Sequence, residues 1–395
     1  MRSKRLMFVP VLVCLLACSC RSAAHQSAQA ATEPLLCGAQ QTDNYFPLLE
    51  GKRFALVVNQ TAQIDGCLLP DTLQRAGLRP QCIFAPEHGF RGTADAGAAI
   101  QDGRDPLTGL RVHSLYGNNK KPTAAQLQDI DIVVFDIQDV GCRFYTYLST
   151  LHYVMEACAE MGKTLVVLDR PNPNDYVDGP LLEPSCRSFV GMHPIPLLHG
   201  CTLGELAGMI NGQGWLAEGR QCALEVIRIK GWRHGQPYSL PVKPSPNLPG
   251  DRAIRLYPSL CLFEGTDISV GRGTTTPFEV IGAPQDNLGD YQFTPRSLPG
   301  FDTRPMYQDR VCHGIDLRQD STTAGFSLRW ITEMYRRSSD KEQFFRNARF
   351  FDLLAGTPRL RQQIVEGLSE EAIRQTWQQD LEAYRLMRTG YLLYP

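Results

Sequence analysis

Short apolar segments alternate with helical stretches from about residue 45 to residue 250, and this alternation restricts the fold more than any other feature. The clearest segments with uninterrupted apolar centres are Arg53–Asn59, Gln81–Ala85, Asp131–Asp136 and Thr164–Asp169. Strands of this kind are buried on both faces, which is typical of a parallel sheet covered by helices on each side. We therefore predict an α/β fold in which residues 45–250 form a Rossmann-like parallel sheet domain.

A cluster of prolines and glycines between Pro241 and Pro258 ends this alternation. Beyond it, a stretch rich in glycine and threonine precedes several segments with helical periodicity. The chain has 395 residues, which is enough for two domains with hydrophobic cores of their own. We predict that residues 251–395 form a smaller α+β C-terminal domain that closes a cleft against the first domain.

The N-terminus is typical of a secretory signal rather than of a folded domain. Arg2, Lys4 and Arg5 precede the apolar run Leu6–Ala17. This run is too short to span a membrane comfortably.

The apolar run ends in Leu-Leu-Ala-Cys at Cys18, which resembles the lipobox of bacterial lipoproteins. We predict a lipoprotein signal peptide over residues 1–18, lipidation of Cys18 and a flexible tether over residues 19–44. The acyl chains would anchor the protein in the cell envelope, at the outer membrane or in the periplasm of a Gram-negative bacterium. The alternative is simple secretion.

Charge and motif content argue against several classes of partner. The net charge of -1 offers no electrostatic basis for binding nucleic acid. The 13 cysteines include no Cys-x-x-Cys pair, so we expect mostly buried free thiols, with a Cys37–Cys67 disulfide left open. Gly271–Thr274 lacks the lysine of a phosphate-binding loop, and residues 89–97 lack a dinucleotide fingerprint. We expect no metal, no cofactor and no nucleic acid partner.

The chemically richest stretch is Pro86–Gly92, which places Glu87, His88 and Arg91 directly after the apolar segment Cys82–Ala85. A proline that ends a buried strand opens a loop at the carboxyl end of that strand. Open α/β sheets bind their ligands along this edge. We predict that Glu87 is catalytic and that His88 and Arg91 bind substrate, although a purely structural histidine is an equal alternative for His88.

Two further predicted strands end in polar residues that the same edge of the sheet would bring together. We predict catalytic roles for the two acids and substrate binding for the other residues of this set, which consists of Asp136, Gln138, Arg143, Tyr145, Asp169 and Asn172. The alternative for Asp136 and Asp169 is structural, because both could cap the following helices or pair with an arginine.

A second cluster lies in the C-terminal half, where Gly271 and Gly273 flank Arg272 downstream of Glu264. Glycine on both sides would let the backbone approach a ligand closely. We predict that Arg272 binds substrate and that Glu264 is a second acid or a sugar ligand. A structural salt bridge is the alternative for Glu264.

Long motifs in order along the chain resemble those of one protein family. The matching segments are Pro86–Gly92, Ser114–Gly117, Phe135–Gly141, Arg143–Tyr147, Asp169–Pro173, Pro194–Pro196, His199–Gly200, Pro244–Pro249, Phe263–Thr266, Ser269–Thr274 and Pro277–Glu279. From about residue 53 to its end, the chain resembles the bacterial exo-β-N-acetylmuramidase family of the NamZ type. So many motifs are far more specific than one short pattern.

The resemblance implies a glycoside hydrolase that removes β-1,4-linked N-acetylmuramic acid from the non-reducing end of peptidoglycan fragments. It also implies an active site in the cleft between the two domains, with Glu87 as the leading catalytic candidate. The matching motifs add His199 and Asn247 to the residues that we predict to bind substrate.

The second catalytic group stays open between Asp136, Asp169, Glu264 and the 2-acetamido group of the sugar itself. The lactyl carboxylate of muramic acid would be held by an arginine, with Arg91, Arg143 and Arg272 as the candidates. One rival hypothesis is a non-catalytic lipoprotein that binds muropeptides. A weaker rival is a metal-dependent hydrolase that uses His88, His199 and Asp136, whose spacing matches no ligand motif.

Overall fold

A seven-stranded sheet forms the centre of the N-terminal half. The computed structural model of the protein describes residues 33–87, 89–91, 102–320 and 325–395. The strands of the described structure, in chain order, are β1 (Phe54–Val58), β2 (Gln63–Ile64), β3 (Cys67–Leu68), β4 (Cys82–Ala85), β5 (Gly103–Arg104), β6 (Arg111–Ser114), β7 (Ile132–Asp136), β8 (Thr164–Leu168), β9 (Val177–Leu181), β10 (Pro196–His199), β11 (Ala223–Ile227), β12 (Val280–Ala283), β13 (Tyr291–Phe293) and β14 (Cys312–Asp316). Its α-helices are α1 (Thr42–Leu49), α2 (Leu69–Arg75), α3 (Ala124–Leu127), α4 (Tyr147–Met161), α5 (Leu203–Gly212), α6 (Asp251–Leu260), α7 (Arg329–Arg337), α8 (Lys341–Phe344), α9 (Ala348–Ala355), α10 (Arg359–Val365), α11 (Glu370–Gln375) and α12 (Gln378–Thr389).

The main sheet has the strand order β11-β8-β7-β1-β4-β6-β5. All neighbouring strands in it are parallel except the edge pair β5 and β6. The chain moves outward from β1 through β4 to β6, and then crosses to β7 on the other side of β1. This is the order of a Rossmann sheet and confirms the predicted α/β fold class.

The two faces of the sheet are buried by different helices. One face, which includes Leu56 and Val134, packs in a cluster with Tyr45 of α1 and Leu73 of α2. The opposite face packs against α4 and α5 in a second, larger cluster. Because both faces are covered, β1, β4 and β7 are buried at every position, as their apolar sequences predict.

The C-terminal part has the smaller α+β architecture that the sequence predicts. Strands β12, β14 and β13 form an antiparallel sheet, and α7 to α12 follow it. The larger core cluster includes Leu148 of α4, Leu206 of α5, Phe263, Phe351 and Leu354. The two parts therefore share one hydrophobic core, and Pro34–Pro395 form one compact unit.

The predicted tether, residues 19–44, includes residues that belong to the folded body of the protein. Leu36 exchanges backbone hydrogen bonds of 3.0 and 2.9 Å with Lys230, and Gly38 N donates to Asp169 O at 2.8 Å. A Cβ at Gly38 would lie 2.4 Å from Ile227 O, so the chain needs glycine to lie this close to the end of the sheet. Residues 36–44 thus belong to the folded body. The predictions for residues 1–18, including Cys18, lie outside the described residues.

The cysteines of the described segments are all free thiols, so the disulfide left open between Cys37 and Cys67 is not formed. Nine of these ten cysteines are buried, as expected for thiols in apolar stretches. Within the same segments, no helix combines the length and the apolar character needed to cross a membrane.

Charged groups hold the C-terminal tail against the first domain. The His234 ring contacts Asp175 Oδ1 at 2.9 Å through Nδ1 and Glu205 Oε1 at 2.9 Å through Nε2. His234 N donates to Pro395 O at 3.0 Å, and Leu393 N donates to Glu205 Oε1 at 2.9 Å. One histidine between two carboxylates thus links the tail to α5.

We expect this cluster to make stability depend on pH. Burial alone would lower the pKa of His234, but hydrogen bonds with Asp175 and Glu205 outweigh it and raise the pKa to about 9. The stabilisation is therefore complete below the unfolded pKa of about 6.5 and is lost as the pH rises through about 9. Nη2 of Arg388 also faces the ring, 3.2 Å from Nδ1.

The measurement is the difference in Tm between the wild type and His234→Gln as a function of pH. The difference should be largest near pH 6 and shrink above about pH 9. His313→Gln is the control, because His313 pairs with Asp286, whose side chain is 96% exposed, and such a pair contributes little. A difference for His234→Gln that does not vary with pH would contradict this account.

Candidate active site

A cavity of about 280 Å³ lies where the carboxyl edge of the main sheet meets the C-terminal part of the protein. Its lining residues are Glu87, Tyr116, Phe144, Tyr145, Thr146, Tyr147, Phe189, Val190, Ser245, Leu248, Tyr257, Cys261, Glu264, Arg272, Phe278, Phe350 and Leu354. The predicted N-terminal and C-terminal domains both contribute to it. We refer to it as the main cavity.

Glu87 follows β4 and is half-buried in the main cavity. Thr146, the residue before α4, donates a hydrogen bond from Oγ1 to Glu87 Oε2 at 3.2 Å. The pKa of the Tyr116 phenol is raised above its ordinary value, mainly by burial. The negative charge of Glu87 and a hydrogen bond between Tyr116 and Glu87 raise this pKa further. The hydroxyl groups of Thr146 and Tyr116 are thus among the partners of the Glu87 carboxyl group.

Glu264 and Arg272 form an ion pair in the wall of the same cavity. Arg272 donates from Nε and Nη2 to Glu264 Oε1 at 2.8 and 2.6 Å. The salt bridge considered as the alternative for Glu264 therefore exists, but it lies inside the cavity. Within the described part of the chain, the buried Nη1 of Arg272 has no hydrogen-bond partner.

The glycines that flank Arg272 have a different purpose from the one predicted. Gly271 and Gly273 both have a φ of 77°, a conformation that favours glycine. A Cβ at either position would lie 2.5 Å from a side-chain atom of Val280 or Pro305, respectively. The protein's own packing, rather than close approach of a ligand, therefore requires glycine here.

Aromatic side chains form one wall of the main cavity. Tyr257 makes edge-to-face contacts with Phe144, Tyr145 and Phe278, with ring centroids 5.3, 5.9 and 5.0 Å apart. The Arg272 guanidinium lies over Phe278, 5.1 Å from its centroid. Rigid aromatic surfaces next to carboxylates suit a sugar ring, which has apolar faces and polar edges.

Asp136 does not reach the main cavity, so the structure does not support a catalytic role. Arg170 donates to its two carboxylate oxygens at 2.5 and 2.9 Å, and Asp136 is fully buried. Side chains alternate along a strand, so Asp136 shares its face with Ile132 and Val134, which pack towards α1 and α2. Phe144, Tyr145 and Tyr257 of the main cavity belong to the other core cluster. The structural alternative, pairing with an arginine, is correct.

Asp169 is also structural rather than catalytic. Its Oδ2 accepts hydrogen bonds from Thr202 Oγ1 at 2.6 Å and Tyr394 Oη at 2.5 Å, and its Oδ1 accepts from Gly204 N at 2.9 Å. Burial raises its pKa to about 6, although these hydrogen bonds oppose the shift. Asp169 thus joins β8, the start of α5 and the C-terminal tail.

Four predicted substrate-binding residues satisfy the protein's own polar groups instead. Arg91 pairs with the buried Asp105 at 2.8 and 2.9 Å. The side-chain amides of Gln138, Asn172 and Asn247 donate to backbone carbonyl oxygens at distances between 2.8 and 3.0 Å. None of these four side chains lines the main cavity.

His199 and Arg143 are buried away from the cavity as well. Burial lowers the pKa of His199 to about 3, so its imidazole is neutral and offers no charge to an acidic sugar. The Arg143 guanidinium donates four hydrogen bonds of 2.8 to 3.1 Å to backbone carbonyl oxygens. Arg143 is therefore a structural link, and not the substrate ligand that the sequence predicted.

The structure thus brings Glu87, Tyr145, Glu264 and Arg272 together in the cavity, while His88 lies outside the described residues. Thr146 and Tyr116 lie within the matched motifs, but sequence reasoning gave them no role. Six further lining residues lie outside the matched motifs, and no feature of the sequence indicated them. They are Phe189, Val190, Tyr257, Cys261, Phe350 and Leu354. In the described segments, no group of three His, Cys, Asp or Glu residues is placed to hold a metal ion.

Two family models match consecutive parts of the chain. The model described as "Exo-beta-N-acetylmuramidase NamZ, N-terminal" matches residues 54–252. The model described as "Exo-beta-N-acetylmuramidase NamZ, C-terminal" matches residues 255–394. Their junction lies close to the boundary predicted near residue 250.

Individual proteins are similar over nearly the same range. Peptidoglycan beta-N-acetylmuramidase NamZ of Bacillus subtilis (strain 168) is 38% identical over 377 residues, which cover 89% of each chain. A crystal structure of a DUF1343 family protein from Bacteroides fragilis NCTC 9343 has a TM-score of 0.84 at 44% identity and covers 91% of this chain and 99% of its own. A second DUF1343 protein from that organism has a TM-score of 0.74 at 30% identity, with the same coverage.

The matched ranges cover both parts of the fold and include Glu87 and Glu264, which both line the main cavity. The chain therefore belongs to the exo-β-N-acetylmuramidase NamZ family.

Proposed function

We propose that this protein is an exo-acting glycoside hydrolase that releases terminal non-reducing β-1,4-linked N-acetylmuramic acid from peptidoglycan fragments. The observation that carries the proposal is the main cavity, in which Glu87 from one part of the chain and Glu264 from the other line a space of about 280 Å³. A space of this size suits one substituted sugar ring rather than a glycan chain. Family membership supports the same reaction.

We assign the general acid to Glu87. Glycoside cleavage needs one carboxylic acid to protonate the leaving oxygen and a second group to act at the anomeric carbon. Glu87 is held by the neutral hydroxyl groups of Thr146 and Tyr116, whereas Glu264 accepts two charge-assisted hydrogen bonds from Arg272. The pairing with Arg272 suits Glu264 to act as a carboxylate, so we assign the proton donor to Glu87, the other acid of the main cavity.

The Glu264–Arg272 pair is the candidate for the second catalytic group, which acts at the anomeric carbon. A carboxylate near the anomeric carbon stabilises the positive charge that develops there, either directly or by orienting the 2-acetamido group of the sugar. Nη1 of Arg272, which has no partner among the described residues, is a buried donor suited to the lactyl carboxylate of muramic acid. This group distinguishes muramic acid from N-acetylglucosamine.

The test is product analysis after the purified protein is incubated with the disaccharide N-acetylmuramyl-β-1,4-N-acetylglucosamine. We expect equal amounts of the two free sugars. The same incubation with N-acetylglucosaminyl-β-1,4-N-acetylmuramic acid is the control and should yield no product. Saturable binding of the first disaccharide without release of sugar would refute the proposal and support the non-catalytic binding protein.

We also propose that Cys18 is acylated after signal cleavage and that the acyl chains anchor the protein in the cell envelope. The motif at the end of the apolar run supports this. Cells that express the full chain with an alkyne fatty acid should yield labelled protein in the membrane fraction. Cys18→Ser should abolish the label and Cys20→Ser should not, whereas labelling retained in Cys18→Ser would refute the assignment.

A further inference from the structure

A second cavity, of about 440 Å³, adjoins the main cavity at Ser245, which lines both. We call it the rim groove, and its lining residues are Gln60, Pro241, Val242, Lys243, Ser245, Pro246, Gly300 and Phe301. We propose that the rim groove binds the leaving part of the substrate, the saccharide chain that remains after the terminal muramic acid is removed. The inference rests on the proposed function, since it adds a binding site to the same reaction.

The position of the proposed general acid, Glu87, favours the rim groove as the site for the leaving saccharide. A general acid must lie within hydrogen-bond reach of the oxygen that it protonates, so the leaving saccharide must extend from the Glu87 side of the main cavity. Tyr147 lines this cavity together with Glu87 and donates from Oη to Pro244 O at 3.4 Å. Because Pro244 precedes Ser245, the rim groove opens at the loop that Tyr147 contacts.

Gln60 supplies an unused acceptor at the groove. Its Nε2 donates to Lys243 O and Pro244 O, each at 3.1 Å, which fixes the orientation of the amide. Its Oε1 is buried, and no hydrogen-bond partner for it exists among the residues that the structure describes. Buried polar atoms are rarely left without a partner, and a sugar hydroxyl group would satisfy this one.

Phe301 gives the groove an aromatic wall. It lies in a tight turn closed by backbone hydrogen bonds of 2.9 and 3.0 Å between Leu298 and Asp302. Asn247 Nδ2 donates to Phe301 O at 3.0 Å and ties this turn to the loop that carries Ser245. The half-buried ring offers a flat surface for the apolar face of a sugar.

The charge at the groove suits a longer glycan. Lys243 is exposed at its edge. Where the lactyl groups carry no peptide, the leaving chain alternates neutral N-acetylglucosamine with anionic N-acetylmuramic acid. An ammonium group beyond the first leaving sugar therefore attracts the carboxylate of the second one.

A further cavity that adjoins the main cavity is the rival site for the leaving saccharide. It has a volume of about 280 Å³, shares Glu264 and Arg272 with the main cavity, and is also lined by Met306. Glu264 lines this rival cavity and Glu87 does not. It provides a matched control for mutation.

The experiment compares kcat/KM for two substrates of the full-length protein. One is 4-nitrophenyl N-acetylmuramide, and the other is the tetrasaccharide of alternating N-acetylmuramic acid and N-acetylglucosamine with muramic acid at the non-reducing end. Phe301→Ala should lower kcat/KM for the tetrasaccharide about tenfold and for the aryl glycoside less than about twofold. Lys243→Ala should show the same selectivity, and its loss should shrink in high salt.

Met306→Ala should affect both substrates equally. Equal losses for both substrates in Phe301→Ala, or a selective loss in Met306→Ala, would overturn the assignment of the groove. A wild-type protein that cleaves neither substrate would refute the proposed function itself. The two failures are therefore distinguishable.

Discussion

Replacing Glu87 by glutamine is expected to lower kcat for the disaccharide by at least about a hundredfold while the protein stays folded. Glutamine has nearly the same shape as glutamate, and its amide oxygen can still accept the hydrogen bond from Thr146. It cannot, however, transfer a proton to the leaving oxygen. The measurement is steady-state hydrolysis of the disaccharide by wild type and variant, with thermal melting to establish that both are folded.

The leaving group distinguishes loss of an acid from other damage to the site. A 4-nitrophenolate departs without much protonation, whereas a sugar alkoxide does not, so Glu87→Gln should lose much less activity on the aryl glycoside than on the disaccharide. Glu50→Gln is the control, since Glu50 is exposed at the end of α1 and should leave both rates unchanged. Near-normal disaccharide turnover by Glu87→Gln would remove Glu87 from the mechanism.

Replacing Arg143 by methionine is expected to lower the free energy of unfolding by at least about 3 kcal/mol. The guanidinium donates to Pro180 O and Ile195 O in the N-terminal half, and to Leu354 O and Ala355 O of α9. Methionine fills similar space but leaves four buried carbonyl groups without this donor. Burial already lowers the pKa of Arg143 to about 9, which shows how strongly the fold desolvates it.

Chemical denaturation of the wild type and of three variants tests this prediction. Arg143→Lys keeps a charge but has no planar fork, so we expect a loss between those of the wild type and Arg143→Met, and this variant remains informative if the methionine variant does not fold. Arg187→Met, at an exposed position, should change stability by less than about 0.5 kcal/mol. If the free energy of unfolding of Arg143→Met falls by no more than that of Arg187→Met, the four hydrogen bonds contribute little to stability.

The sequence carried enough information to predict the sheet and the position of Glu87 at its carboxyl edge. Uniformly apolar segments became the buried parallel strands, because only a sheet covered on both faces buries such residues completely. The Thr202–Glu205 capping box formed at the start of α5, since both partners lie three residues apart. Glu87 stands in the main cavity because its proline-bounded loop follows β4 directly.

The sequence also indicated which residues lie at the carboxyl edge of the sheet, but not which of them face the cavity. Asp136, Asp169 and Asn172 occupy that edge, yet each is buried and bonded within the protein. Whether a side chain at the end of a strand faces the cavity depends on the face of the sheet on which it lies and on the residues that hydrogen-bond to it there. For Asp169 that partner is Tyr394, 225 residues further along the chain.

What the sequence by itself determined was therefore local: which segments form strands and helices, and which loop carries the acid. Only the tertiary structure decided that Glu264 and Arg272 would join Glu87 in one cavity and that Arg143 would link the two halves from inside. The physical reason is that helical and strand periodicity depend on residues a few positions apart. The burial of a charged side chain depends instead on partners that folding alone brings within hydrogen-bond distance.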